Sequence, residues 1–223
     1  MPLLFLACKS SDRSVQPAVN DFREFKVLDS NYLDKDQIFG DLLDEVVSFR
    51  ESDKLKGLIL EKSIPEIKEA IAGGQFSYRD LTLFYLKRIY TYDRENPKSL
   101  NAVIAINPNV LKQADAADQD LAYAKKKGEE LAYYSIKGMP ILLKDNIDTN
   151  DMPTTAGAAV LIKNTTAQNA QIVKNLRQEG AVILGKANLS EWAYFFCGDC
   201  PSGYSAVGGQ TLNPYGRRSL DTG

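Results

Sequence analysis

A lysine closing an apolar run is the residue of this chain best placed to do chemistry. Residues 139–143 read Met-Pro-Ile-Leu-Leu, and Lys144, Asp145 and Asn146 follow at once. A run of that length and polarity reads as a buried strand, and it would carry the Lys144 ammonium to the mouth of a core. Desolvation there disfavours the charged form and turns a lysine into a usable general base. An ordinary lysine is neutral in only roughly one molecule in a few thousand at pH 7, so such help matters. On these residues alone, a solvated strand-end lysine is the more ordinary reading. The chain contains no histidine, which removes Ser-His-Asp, Cys-His and imidazole–zinc sites. Proton transfer near neutral pH is left to a carboxylate, a tyrosine, a cysteine or a lysine. Asp145 alternates to the opposite face of the strand from Lys144 and reads as an organiser of the following loop.

Other reactive residue types are weaker candidates. Gly203-Tyr-Ser205-Ala-Val-Gly208 is not a nucleophile elbow, because its second glycine comes one residue late; Ser202, Ser205 and Ser219 read as loop residues. Asn188, Ser190 and Glu191 read as a helix cap and first turn. Cys197-Gly-Asp-Cys200 has Cys-x-x-Cys spacing, yet Phe195-Phe196 and Pro201-Ser-Gly203 around it indicate a loop rather than a thioredoxin-like frame. A disulfide, two free thiols and a thiol-redox or binding module all remain open for this pair. With only three cysteines, four thiolate ligands for zinc cannot be assembled, and neither a metal nor a cofactor is expected. The third, Cys8, ends the run Leu3-Leu-Phe-Leu-Ala7 and precedes a polar stretch. That pattern resembles a bacterial lipobox, with residues 1–20 a truncated signal and tether, Cys8 the lipidated residue, and the cell envelope the location. The run is too short to span a bilayer, so membrane contact would come through the lipid alone.

Periodicity supplies the elements that must position these groups. Apolar positions from Asp36 to Lys56 repeat at helical spacing, within an N-terminal helical segment placed at residues 21–62. Ser63-Ile-Pro-Glu66 is a capping box with proline in the first turn, and that helix ends at Gly73-Gly74. Ser77 and Asp80 open another helix. Ala102–Ile106 reads as a strand, Val110–Lys127 as a helix whose terminal lysines suit the macrodipole, and 139–143 as the second strand. Ala167–Glu179 reads as a helix closing on Gly180, and Ala181–Leu184 as a third strand stopped by Gly185. The alternation indicates α/β layering. Lys plus Arg numbers 27 against 29 for Asp plus Glu, and no basic stripe interleaves with aromatics, so nucleic acid is not an expected partner.

Taken in order, these segments resemble the amidase-signature family. Gly138-Met-Pro-Ile-Leu-Leu-Lys144-Asp-Asn-Ile-Asp148 is similar to its lysine motif and Thr154-Thr-Ala-Gly157 to its Thr-Thr-x-Gly loop. Ile172–Ala181, Gly185-Lys-Ala-Asn188 and Ser190-Glu191 fit the next helix–strand unit. Gly209-Gln-Thr-Leu-Asn-Pro214 and Asp221-Thr-Gly223 fit the approach to its Gly/Ser-rich signature. The resemblance covers about residues 62–223, and assigns 63–223 to the N-terminal part of an α/β/α domain with a mixed sheet. It implies a Ser–cisSer–Lys amidase that hydrolyses a small-molecule or peptide carboxamide to an acid plus ammonia or an amine. The glutaminase subunit of a tRNA-dependent amidotransferase is the alternative within the family. Only Lys144 of the triad maps here; both serines are expected after Gly223, and residues 1–223 by themselves are expected to be inactive.

Overall fold

The structure is a computed structural model and describes residues 33–50, 52–93, 100–129, 132, 134–196 and 200–215. Its centre is a three-stranded sheet in the order β1–β3–β2, formed by β1 (Val103–Ile106), β2 (Pro140–Lys144) and β3 (Val182–Ala187). β2 runs parallel to β3 and β1 antiparallel to it, so the sheet is mixed. A small hairpin, β4 (Tyr204–Ser205) with β5 (Gly209–Gln210), stands apart from this sheet.

Local chemistry explains where the helices start. Asp34, Ser63 and Ser77 each close a capping box, opening α1 (Lys35–Phe39), α4 (Ile64–Ala72) and α5 (Tyr78–Tyr92). The expected continuous helix over Asp36–Lys56 is instead broken into α1, a 3-10 turn (Gly40–Leu42), α2 (Leu43–Ser48) and α3 (Asp53–Ile59). Phe49 turns extended after α2, and Ser52 caps α3 by accepting from Leu55 N–H. α6 (Val110–Lys127) ends in three lysines and a left-handed Gly128. α7 (Gln171–Gln178) starts later than the sequence pattern suggests.

The helices cover the sheet on both sides. Val182 and Leu184 of β3 join Val103 and Ile106 of β1 in a core with Ile38, Phe39, Val46, Leu83, Leu86 and Val110. A second cluster behind α5 unites Ile59, Ile67, Tyr78, Phe84 and Met139. On the opposite face, Ile183 and Leu143 pack with Val173 of α7 and Met152. Each fully buried aliphatic side chain stabilises the fold by roughly 1.5–3 kcal/mol. The N-terminal helices therefore belong to the main core. Arg79 ties them further, reaching Glu45 on α2 and Asp115 on α6.

Gly185 does not end the third strand. β3 continues through it to Ala187, because a Cβ at 185 would lie 2.1 Å from the Ala105 carbonyl oxygen. The glycine is there for the close approach of β1. A bulge accompanies it: Ile141 faces Ile183, but the next residue, Leu142, faces Gly185.

Candidate active site

Lys144 is the last residue of β2, level with Ala187. Leu143 points into the α7 core, so Lys144 and Leu142 share the opposite face, where Leu142 is 40% exposed. The Lys144 side chain is exposed as well. Among the described residues its ammonium has no hydrogen-bond or ion-pair partner. The burial expected for it at a strand mouth is not provided by the described residues, among which β2 has a strand neighbour on one side only. Its backbone is tightly held: Ile147 N–H donates to the Lys144 carbonyl at 2.9 Å.

The loop leaving Lys144 is organised by two buried charges. Asp145, 1% exposed, extends the β3 ladder by donating its N–H to Ala187 O. Its carboxylate accepts from the Thr155 hydroxyl, from Thr155 N–H at 3.1 Å and from Gly157 N–H at 3.3 Å. It thus fastens the far end of the loop, as its place on the strand suggested. Burial pushes this carboxyl above the ordinary carboxylate value, while the Thr155 hydroxyl, the Gly157 N–H and the Lys186 ammonium pull it back.

The second charge is Lys186, which the sequence pattern did not single out. It lies on the central strand and is fully buried. Its ammonium donates to Ile147 O at 2.6 Å and to Thr154 Oγ1 at 3.1 Å. Burial pushes its pKa below the usual lysine value, with Asp145, Asp148 and Asp151 opposing that shift. The two threonines of the Thr154-Thr155 pair thus divide their work: one hydroxyl faces the buried cation, the other the buried carboxylate. The bulge in β3 explains the aim of Lys186. Strict alternation would turn position 186 into the apolar core with Val182 and Leu184. The extra residue instead sets it level with Leu143, on the loop face. Reading Gly185 as a strand stop had left Lys186 outside the sheet; a lysine continuing the run Val-Ile-Leu-Gly was the available signal.

A third cluster fixes the 203–211 hairpin. Asn188 Nδ2 donates to Asn101 O, Gly209 O and Thr211 Oγ1. Ser205 Oγ donates to Asn188 Oδ1 at 2.6 Å and accepts from Gly208 N–H at 2.8 Å. Fully buried and bonded on both sides, Ser205 has no access to an incoming carbonyl group. Ser190 precedes and Glu191 opens a 3-10 turn (Glu191–Tyr194), but no side chain caps it. Ser190 Oγ accepts from Gly203 N–H and Glu191 from Ala206 N–H. Cys200 is exposed and disulfide-bonded. Cys8, Cys197, Ser219 and Asp221–Gly223 lie outside the described residues. Among those described, no group of three or more His, Cys, Asp or Glu side chains could hold a metal ion.

The family profile for Amidase matches residues 80–222 and so takes in the whole arrangement around Lys144, Asp145 and Lys186. The chain belongs to the amidase family. It is 42% identical over 158 residues to a probable amidase of Arabidopsis thaliana, covering 70% of this chain and 29% of that one. A glutamyl-tRNA(Gln) amidotransferase subunit of Alcanivorax borkumensis is 36% identical over 133 residues, 59% of this chain and 26% of the relative. Among solved structures, an amidase family protein from Bacillus anthracis superposes with a TM-score of 0.73 at 36% identity, covering 86% of this chain and 37% of that one. The peptide amidase of Stenotrophomonas maltophilia gives 0.62 at 41% identity, covering 70% and 31%. These likenesses place the mixed α/β sheet in the amidase-signature fold. The chain spans less than a third of the length of the curated relatives it matches.

Proposed function

We propose that the protein carrying this amidase-family chain hydrolyses a carboxamide, with Lys144 as the base of its proton relay. The observation that carries the reading is the position of Lys144: inside the family match, at the end of β2, with its backbone fixed and its amine outward. A base that serves a serine must present a free amine, which Lys144 does and the enclosed Lys186 does not. In the relay implied by the resemblance, neutral Lys144 takes a proton from a bridging serine, which takes one from a nucleophilic serine. That oxygen bonds to the amide carbon; the relay returns the proton from Lys144 to the nitrogen as the C–N bond breaks and ammonia or an amine leaves, and water then cleaves the acyl ester, releasing the acid and restoring the serine hydroxyl. Lys144 is the member of this relay that maps onto the chain.

A peptide amide or small carboxamide is the substrate class favoured by the likeness to the peptide amidase. The amidotransferase relative favours a second reading, in which the amide is glutamine and the protein serves a tRNA-dependent partner. Turnover of peptide and small amides by the intact protein alone supports the first; turnover of glutamine confined to a partner complex supports the second. In either case Lys144→Ala should lower amide hydrolysis by about a thousandfold or more, as loss of an acid–base group does, while the circular dichroism spectrum is kept. Unchanged turnover in a folded Lys144→Ala protein would remove the role. For location, the reading puts the protein at the cell envelope, held by a lipid on Cys8. No helix among the described residues is long and apolar enough to cross a membrane.

A further inference from the structure

Lys186 is a cation taken wholly out of water on the central strand, one residue diagonal to Lys144. A buried charge adds little stability that an apolar side chain of similar length would not supply. What an apolar side chain cannot do is donate to Ile147 O and Thr154 Oγ1 together. Those two acceptors lie on the two limbs of the loop that leaves β2. Ile147 in turn donates its N–H to the Lys144 carbonyl. A continuous chain of contacts therefore runs from the Lys186 ammonium, through Ile147, to the backbone of Lys144. The β3 bulge aims Lys186 at this loop rather than at the α5–α6 core, and bulges are a common means of re-aiming a side chain beside a site.

We infer that Lys186 is a positioning residue, whose buried ammonium fixes the Lys144–Thr155 loop and through it the place of the Lys144 amine. The inference rests on the reading of Lys144 as the base. An exposed four-carbon side chain has wide freedom of its own; a fixed backbone at its root narrows where its amine can go. Displacing a reacting group by about 1 Å can cost about a hundredfold in rate.

The test compares Lys144→Ala, Lys186→Met, Thr154→Val and Thr154→Ser in the intact protein, with kcat and KM for an amide substrate measured across pH. Lys186→Met should lower kcat by about a hundredfold with KM within about twofold, the pattern of a lost transition-state interaction, and should displace the acid limb of the pH profile. Thr154→Val removes one acceptor without changing shape, and should move both quantities the same way by less. Thr154→Ser keeps the hydroxyl and should match the parent. If Lys186→Met fails to fold, the two Thr154 variants decide. Parental kcat and pH profile in a folded Lys186→Met protein, or in Thr154→Val where Lys186→Met is unfolded, overturns the inference while an inactive Lys144→Ala leaves the base intact. Retained turnover in folded Lys144→Ala protein overturns both.

Discussion

Two lysines on adjacent strands show how little residue type decides. Lys144 and Lys186 are almost level in the sheet, yet one is exposed and the other sealed. Sequence reasoning placed the desolvated ammonium at 144, and the fold places it at 186. Asp145, in contrast, was legible, since alternation alone turned it from Lys144 toward the loop. Its titration gives a test at this scale. Burial raises the Asp145 carboxyl above its ordinary value of 3.8. A group that holds its proton more tightly in the folded state favours folding below its unfolded pKa, and that contribution disappears as pH rises through the folded pKa. Asp145→Asn cannot titrate. The stability of the parent minus that of Asp145→Asn should therefore fall as pH rises from below 3.8 into the neutral range. Urea unfolding of both proteins at several pH values measures it, and a difference that rises instead would contradict the burial argument.

Elements were legible where local chemistry defines them. The Ser63 and Ser77 capping boxes form as their spacing predicts, and the three apolar runs are the three strands of the sheet. The bulge was not legible, because it arises from the pairing of β3 with β2, which no single run of residues encodes. Strand pairing also decides what Gly185 means. Read locally it ends a strand; read against β1 it allows the backbones to approach. Gly185→Ala would put a methyl 2.1 Å from Ala105 O, against backbone that cannot rotate away. The expected cost is about 1–3 kcal/mol, as for other overpacked sites, with faster amide exchange along β1 and β3. Chemical denaturation and hydrogen exchange would measure both, and a variant as stable as the parent would show that β1 yields without cost.

For the whole molecule, the core and the envelope reading make separate demands. Leu33 already packs against the main cluster with Ile38 and Phe39, and an anchor at Cys8 would lie about 25 residues before it, a covalent reach of at most about 90 Å. The hydrogen bonds given above for Lys144, Asp145 and Lys186 are all made between residues 144 and 187, so anchoring and chemistry are expected to be separable. A diacylglyceryl group on a cysteine carries two acyl chains, enough for stable membrane attachment where one chain is marginal. The intact protein expressed in a bacterial cell should therefore incorporate labelled palmitate and partition into a detergent phase. Cys8→Ser should lose the label and move to the aqueous phase, while kcat and KM for amide hydrolysis stay at the parental values. Label retained in Cys8→Ser, or a parent protein that stays aqueous and unlabelled, would remove the envelope reading and leave the Lys144 chemistry untouched.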